Sequence, residues 1–292
     1  MAALRDMHGF WVRFGKFIRI SHTVFALPFA LTSAAVAARG WPSLRVMVLI
    51  VGCMLTARTA AMLFNRVVDW DIDQQNPRTM DRHRLMHRST ASWLCGISCI
   101  LFMATAWWIN PLCGWLSPVA LAMILGYSLT KRFTVWCHGF LGLALAAAPM
   151  GAWAAVTGEL WSFEPYLLAA GVWLWVSGFD MIYAVLDTEA DRKLGLFSVP
   201  SRLGPQAARR LALGLHAMAW ILFGLFGWKA ELGGPWGAYA ICWWLCLPLL
   251  WVEHRWARQD DPVVLNRAFF HINAAVSVLI LLGTVLELTS DI

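Results

Sequence analysis

Long apolar runs recur along the 292-residue chain and limit its fold more than any other feature. Each run holds about 20 residues, enough for a helix to cross a hydrocarbon core about 30 Å thick. Charged residues make up 14% of the chain, well below the share of about 25% in soluble domains. Helices satisfy their own backbone hydrogen bonds in lipid. The sequence therefore predicts an all-α, polytopic membrane protein in which residues 1–292 form a single transmembrane domain.

The apolar windows predict nine membrane-spanning helices. They cover residues 22–38, 45–65, 91–109, 112–129, 134–157, 165–186, 211–228, 236–252 and 268–288. Nineteen of the 23 Lys and Arg residues fall on the side of the amino terminus, Arg39, Arg45 and Lys229 fall opposite, and Arg58 lies within the second span. Because cytoplasmic loops are enriched in Lys and Arg, we expect an inner-membrane protein whose amino terminus and long loops face the cytoplasm.

This asymmetry also accounts for the net charge of +6. The basic residues are scattered over connectors at a membrane face instead of being gathered on one folded module, so we expect the lipid bilayer and no nucleic acid as a partner. The seven cysteines fall almost entirely within apolar runs. They are typical of small buried residues and lack the accompanying ligands of a zinc site.

Two acidic clusters stand at the ends of the second and sixth predicted spans, which share one side of the membrane in this layout. Asn65, Asp69 and Asp73 are spaced i, i+4, i+8 and would share one helix face if the helix continues past the membrane edge. A second set with spacing i, i+7, i+11 would do the same: Asp180, Asp187 and Asp191. Asp71 and Glu189 fall off these faces and are expected to be solvated.

Carboxylates near a bilayer are costly, and two stacks of like charge repel, so a positive group is expected between them. Oxygen ligands without His or Cys favour a hard divalent cation, and Mg²⁺ typically combines one or two carboxylates with a substrate phosphate. Basic residues that would suit such a phosphate are Arg66, Arg78, Lys131, Arg132, Lys193 and Arg202. The simpler alternative is that the acids are solvated loop residues that balance neighbouring arginines.

Arg58 lies within the membrane, seven residues before Asn65 on the same helix face. An ionisable group at this depth is a functional hypothesis by default. An ion pair with an acid such as Asp180 is the structural alternative.

The segment from Asn65 to Asp73 reads N-x-x-x-D-x-x-x-D, and the segment from Asp180 to Asp191 reads D-x-x-Y-A-x-x-D-x-x-x-D. Together they resemble the two signatures of the UbiA superfamily of intramembrane prenyltransferases. The resemblance implies a UbiA-type bundle of nine helices with a cytoplasmic-side cap. It also implies transfer of a polyprenyl group from an allylic diphosphate to an aromatic acid.

The resemblance further implies roles for individual residues. Mg²⁺ ions would be held by Asn65, Asp69, Asp73, Asp187 and Asp191. Arg78, Lys131, Arg132 and Arg202 would bind the diphosphate, while Asp180 and Tyr183 would position the acceptor or stabilise the allylic cation. Asp187 and Asp191 would thereby also act in catalysis, and the apolar spans would hold the isoprenoid tail.

Finer features concern the acceptor. Residues 21–29 and 151–158 resemble the menaquinone prenyltransferases of the futalosine route, which implies a dihydroxynaphthoate-type ring. An Asp-Lys-Pro segment usual in enzymes that act on 4-hydroxybenzoate is absent, yet 4-hydroxybenzoate, for ubiquinone, is the close alternative. Arg58 could pair with the acceptor carboxylate. An alternative of another class is a cation-coupled transporter, since intramembrane ionisable groups also suit an ion pathway.

One segment departs from the family pattern. After Arg78 the family commonly continues with Arg-Pro-Leu-Pro-x-Gly, whereas residues 81–88 lack these prolines and the glycine. The cap over the site is therefore expected to differ in shape. The roles of Arg82 and Arg84 stay open, and His83 and His87 lack a third ligand for a metal site.

Overall fold

The computed structural model describes residues 9, 12–18, 25–259 and 261–290. All regular secondary structure in these residues is helical, which confirms the all-α prediction. His22, Thr23 and Val24 of the first predicted span lie outside the described residues, as do Arg5, Arg19 and Ser21.

Nine long helices match the nine predicted spans in order. They are α1 (Leu27–Ala38), α2 (Leu44–Val68), α3 (Arg88–Ile109), α4 (Pro111–Thr130), α5 (Cys137–Thr157), α6 (Glu164–Ala184), α7 (Pro205–Lys229), α8 (Ala238–Trp256) and α9 (Asn273–Ser290). By length and composition, seven helices of the described chain could cross a membrane, a set that omits α1 and α8. A count of nine spanning helices therefore stays a prediction.

Local sequence signals set the helix boundaries. Ser43 caps α2 by accepting a hydrogen bond from the Val46 N–H at 3.4 Å. Asn110 separates α3 from α4, because its Oδ1 accepts from the Cys113 N–H at 2.8 Å and Pro111 occupies the first position of α4. The split predicted at Asn110-Pro111 is thus confirmed.

The helix α1 lies inside the bundle and packs against α5 and α9. Its 12 residues span about 18 Å at the usual rise, less than the thickness of a bilayer core. Phe29 is fully buried and contacts the rings of Trp175 and Phe223. Ser33 donates to the Pro149 carbonyl at 2.7 Å, which satisfies its hydroxyl inside the protein.

Glycines let α5, α6 and α7 approach closely. A Cβ atom at Gly142 of α5 would overlap the Trp173 carbonyl oxygen of α6, and one at Gly178 of α6 would overlap the His216 ring of α7. Small residues at helix contacts are usual in membrane bundles, where packing and not water exclusion holds helices together. This packing places the start of α5 beside the end of α6.

Short segments cover the end of the bundle where α2 and α6 terminate. After Asp69 the chain forms the helix Trp70–Gln75, and after α6 it forms a 3₁₀ turn, Val185–Asp187, followed by the helix Thr188–Lys193. The predicted continuous helices are therefore interrupted at both acidic clusters. The five-residue π-helix Ala268–Ile272 leads into α9 at the same end of the bundle.

The close contact at Gly142 gives a stability prediction. Gly142→Ala should lower the apparent Tm in detergent, because overpacking against a backbone carbonyl costs about 1–3 kcal/mol. Gly151→Ala in the same helix is the control: its Cβ would meet nothing within 4 Å, and alanine favours helix by about 1 kcal/mol. Equal Tm values for the two variants would contradict the proposed tight contact.

Candidate active site

A polar cavity of about 260 Å³ opens at the end of the bundle where α2 and α6 terminate. Both acidic clusters line it: Asn65, Asp69, Asp73, Asp180, Asp187 and Asp191. The breaks after α2 and α6 do not turn these side chains away from one another. The structure therefore brings together the two sets that the sequence places about 115 residues apart.

Asp69 is the most deeply buried of these acids, with a side chain 3% exposed. Lys131 Nζ lies 2.6 Å from Asp69 Oδ2, and Arg132 Nη2 lies 2.9 Å from Asp69 Oδ1. Asn65 donates its amide to the same carboxylate at 3.2 Å. A carboxylate this buried needs compensation, which the two cations after α4 supply.

Asp73 is held by two arginines. Arg66 approaches its carboxylate at 3.4 Å, and Arg82 at 3.0 Å. Thr79 donates its hydroxyl to the Asp73 carbonyl at 2.9 Å and so secures the loop that carries Arg82. The atypical segment 81–88 thus contributes Arg82 to the site, a role that sequence reasoning left open.

Asp187 forms a bidentate ion pair with Arg78, whose Nε and Nη2 donate to the two carboxylate oxygens. Asn76 donates to the same carboxylate at 2.8 Å, and Arg78 Nη1 donates to the Tyr183 hydroxyl at 2.7 Å. Burial alone would lower the pKa of Arg78, but the hydrogen bonds and charge of Asp187 and Tyr183 raise that pKa above its ordinary value. Arg78 is therefore a permanent cation in the cavity.

Asp180 and Asp191 have partners of another kind. Asp180 Oδ2 lies 2.7 Å from Nδ1 of His138, at the start of α5. Asp191 accepts from the Ser198 hydroxyl at 2.9 Å. Ser198 also caps the short helix Val199–Leu203, so the loop after the second cluster is tied to the cavity wall.

A second cavity, of about 160 Å³, lies between α2, α3, α4 and α5 and is lined mainly by apolar side chains. Arg58, Tyr127 and Leu145 line both cavities. The sequence prediction that Arg58 shares a face with Asn65 is confirmed. The polar cavity and the apolar cavity therefore meet at the cationic side chain of Arg58.

Aromatic rings form one wall of the polar cavity. Phe25, Phe179, Tyr183 and Phe269 line it. Tyr183 and Phe269 stack with ring centroids 4.2 Å apart, and Phe179 meets Phe269 edge-on at 5.3 Å. The π-helical turn before α9 supplies Phe269, and such turns are frequent at functional sites.

Two predicted site residues do not line the cavity. The Arg202 guanidinium lies over the Phe197 ring at 4.1 Å and donates to the Gly195 carbonyl at 3.4 Å. Arg132 touches the site only through Asp69 and otherwise donates to the Val68 and Ser128 carbonyls. The structure therefore gives Arg202 no contact with the cavity and Arg132 a supporting one.

The expected solvated acids are exposed. Asp71 has a side chain 78% exposed and pairs loosely with Arg88 at 3.7 Å, and Glu189 is exposed as well. Both stand between cavity-lining aspartates in the sequence, which makes them natural controls.

The sequence analysis did not identify His138 as a candidate site residue. It is 2% exposed and lies within the predicted span 134–157. The signal was present, since an ionisable group inside an apolar run marks a functional candidate, the argument that selected Arg58.

The donor set suits a hard cation, because carboxylate and amide oxygens of the six cluster residues line one cavity. In the described part of the chain, however, no group of three or more His, Cys, Asp and Glu side chains is close enough to hold a metal ion. Mg²⁺ usually keeps waters and substrate phosphates in its shell and uses only one or two carboxylates. The residues therefore fit a metal that shares its coordination with a phosphorylated ligand.

The sequence model of the UbiA prenyltransferase family matches residues 26–275. The 4-hydroxybenzoate octaprenyltransferase of Shewanella sediminis (strain HAW-EB3) is 30% identical over 238 residues, covering 80% of this chain and 82% of that protein. The protein of the same name from Pseudomonas aeruginosa (strain LESB58) is 30% identical over 265 residues, covering 88% and 86%.

Solved structures agree in fold. The apo structure of a UbiA homolog from Aeropyrum pernix K1 superposes with a TM-score of 0.80 at 31% identity, covering 89% of this chain and 95% of that one. A UbiA homolog from Archaeoglobus fulgidus bound to GPP and Mg²⁺ has a TM-score of 0.67 at 19% identity, covering 94% and 99%. The latter likeness concerns the fold alone.

Proposed function

The chain belongs to the UbiA prenyltransferase family, and we propose that it transfers a polyprenyl group from an allylic diphosphate to an aromatic acid in respiratory quinone biosynthesis. It is an aromatic prenyltransferase. The observation that carries the finer proposal is the convergence of two acidic clusters and their basic partners on one cavity, joined at Arg58 to an apolar cavity. The cation-coupled transporter loses support, because family membership points to an enzyme and the acids lie at the end of the bundle.

We propose 4-hydroxybenzoate as the acceptor. The relatives that match over most of the chain carry that acceptor in their names, so they favour the alternative over the dihydroxynaphthoate prediction. The first of the two segments behind that prediction, residues 21–29, lies partly outside the described chain, at residues 21–24, and its Phe25 lines the polar cavity. The other, residues 151–158, contributes to the apolar cavity and not to the polar one. It therefore bears on the isoprenoid tail more than on the acceptor, and dihydroxynaphthoate stays the second candidate.

Asn65, Asp69, Asp73, Asp187 and Asp191 would hold Mg²⁺ at the diphosphate. When bound, the metal would neutralise the charge that grows on the leaving diphosphate. Lys131 and Arg78 now neutralise Asp69 and Asp187. Their side chains would turn to the diphosphate oxygens once the carboxylates have another positive partner, and Arg132 would continue to hold Asp69.

The allylic carbon–oxygen bond breaks with its electron pair going to the diphosphate. The cation left behind would lie against the aromatic wall of Tyr183, Phe179 and Phe269, whose ring faces stabilise positive charge. The wall would also shield the cation from water, which would otherwise capture it. An electron-rich ring carbon of the acceptor then forms the new bond, with Arg58 holding the acceptor carboxylate.

The apolar cavity would hold the isoprenoid tail. Its lining from α2, α3, α4 and α5 offers small and aliphatic side chains, and it begins where Arg58 and Tyr127 end the polar cavity. We place the polar end in the cytoplasm, since most basic residues lie on that side of the predicted layout.

Membranes containing the protein should form a prenylated product from labelled polyprenyl diphosphate, Mg²⁺ and 4-hydroxybenzoate. The product is followed by radiochromatography, with 1,4-dihydroxy-2-naphthoate assayed in parallel. Turnover of dihydroxynaphthoate alone would move the acceptor to the second candidate. Product from neither acid, in membranes shown to contain the protein, would refute the proposed reaction.

Loss of charge at the two clusters should abolish this reaction. Asp69→Asn and Asp187→Asn should each lower kcat by about 100-fold or more, the cost of losing electrostatic support at a developing charge. Mg²⁺ with a non-hydrolysable diphosphate should raise the apparent Tm of the wild type and not of these variants. Asp71→Asn and Glu189→Gln, on exposed neighbours, should behave like the wild type; losses as large in these controls would contradict the assignment.

Arg78 and Arg202 should differ as substrate contacts. Arg78→Ala should raise the KM for the diphosphate by about 10- to 100-fold, the value of a charge-assisted hydrogen bond. Arg202→Ala should change that KM by less than about two-fold, because exposed charges contribute little. The reverse order would restore Arg202 as a binding residue and remove Arg78.

A further inference from the structure

His138 and Asp180 form a buried contact that the reaction outlined above does not yet use. The imidazole is 2% exposed and stands behind Asp180, whose side chain is 24% exposed. Their Nδ1 and Oδ2 atoms are 2.7 Å apart. Asp180 lines the polar cavity, whereas His138 does not, so His138 can reach a substrate only through Asp180.

The second ring nitrogen defines the tautomer. The Val199 N–H donates to His138 Nε2 at 3.3 Å, so Nε2 carries a lone pair and the proton sits on Nδ1. His138 therefore donates to the Asp180 carboxylate as a neutral ring. Fixing one nitrogen to set the role of the other is how proteins orient a histidine.

Asp180 differs from the other cavity aspartates in its partner. Among the ion pairs of the described residues, Asp69, Asp73 and Asp187 each meet an Arg or Lys, whereas Asp180 meets only His138. A permanent cation weakens a carboxylate as a base, because it favours the ionised form. Asp191, which accepts from the Ser198 hydroxyl, also lacks such an ion pair among the described residues but is proposed above as a metal ligand. Asp180 is therefore the cavity carboxylate best suited to accept a proton.

The proposed reaction requires a proton acceptor. After the ring carbon bonds to the allylic carbon, the acceptor is a cyclohexadienyl cation that must lose the proton from the substituted carbon. A general base within reach of that proton contributes typically 10²–10⁴-fold. The position lies next to the acceptor hydroxyl, because the hydroxyl directs attack to its neighbouring carbons.

We propose that Asp180 is the base that removes this ring proton, and that His138 is a positioning residue that aims the carboxylate. This inference rests on the proposed prenyl transfer. The C–H bond breaks, its electron pair restores the aromatic ring, and the proton forms an O–H bond on the free carboxylate oxygen of Asp180. His138 keeps its own proton throughout and holds Oδ2.

Three segments of the chain surround the His138–Asp180 pair. The helix α6 presents Asp180, the start of α5 presents His138 and its neighbour Cys137, and the helix Thr188–Lys193 presents Asp191. Cys137 Sγ contacts the Phe197 carbonyl at 3.4 Å and also lies beside the His138 ring, but among the described residues it forms no hydrogen bond with Asp180. Cys137→Ala therefore serves as the control for disturbing a neighbour of the ring without removing the donor to Asp180.

The experiment compares the wild type with His138→Ala, His138→Asn, Asp180→Asn, the double variant His138→Ala/Asp180→Asn, and Cys137→Ala. Each is assayed in membranes with 4-hydroxybenzoate and with 4-hydroxybenzoate deuterated next to the hydroxyl. We expect His138→Ala to lower kcat by about 10- to 100-fold, as loss of an orienting partner does, with the KM for the diphosphate unchanged. A primary isotope effect absent from the wild type should appear, because proton removal becomes slow.

The remaining variants test the coupling. The amide of His138→Asn can replace the Nδ1–H donor and should recover most of the activity. The double variant should be no slower than Asp180→Asn, since His138 acts only through Asp180. Cys137→Ala should match the wild type. The apparent Tm of every variant in detergent shows whether a loss of activity comes from misfolding. If His138→Ala does not fold, the isotope effect of Asp180→Asn tests whether Asp180 is the base.

Several outcomes would overturn the inference. These are full activity of His138→Ala or Asp180→Asn, additive losses in the double variant, and reduced turnover of Asp180→Asn without an isotope effect. Absence of any wild-type product with either acid would refute the proposed reaction, and this inference with it. Wild-type turnover with an unaffected His138 variant would refute only the pair.

Discussion

Neutralisation of buried carboxylates at one end of the bundle is the constraint on which the rest of the site depends. Ionised carboxylates near a membrane are costly. Removing one partner of a buried ion pair destabilises a protein, because the other charge is left without compensation. Asp69, at the end of α2, is held by Lys131 and Arg132 from the end of α4. Asp187, after α6, is held by Arg78 from the loop after α2. The ion pairs therefore fasten separate segments to one another as they form the cavity.

These pairs also explain how one cavity can suit both a cation and an anion. Five carboxylates and five Arg or Lys side chains line it, so the charges balance inside the protein. In the proposed reaction, a metal–diphosphate complex would offer a positive partner to the acids and a negative partner to Arg78 and Lys131. Such a complex would replace each internal pair without leaving a bare charge. The apolar cavity meets this charged region at Arg58 and Tyr127. The junction between the diphosphate and the hydrocarbon tail of the proposed substrate would lie there.

Much of the site could be predicted from local pattern, since residues at helical spacing share a face. Asn65, Asp69 and Asp73 line one cavity although the helix breaks at Asp69, because helical i to i+4 backbone hydrogen bonds still link Asp69 to Asn65 and Asp73 to Asp69. Arg202 shows the limit of this reasoning: a basic residue near the site in sequence packs instead over Phe197. The contribution of Arg82 was equally invisible, since it depends on how the loop after Asn76 folds back on Asp73.

By itself the sequence determined the helical class, the order of the long apolar helices, and the two acidic faces that mark the family. These follow from composition and short periodicities, which need no knowledge of distant residues. Only the tertiary structure decided which cation meets which carboxylate, that His138 stands behind Asp180, and that a π-helical turn brings Phe269 against Tyr183. Except for the pairs of Asp73 with Arg66 and Arg82, such contacts join residues 40 to more than 100 positions apart. They arise from the packing of distant segments, which no local pattern encodes.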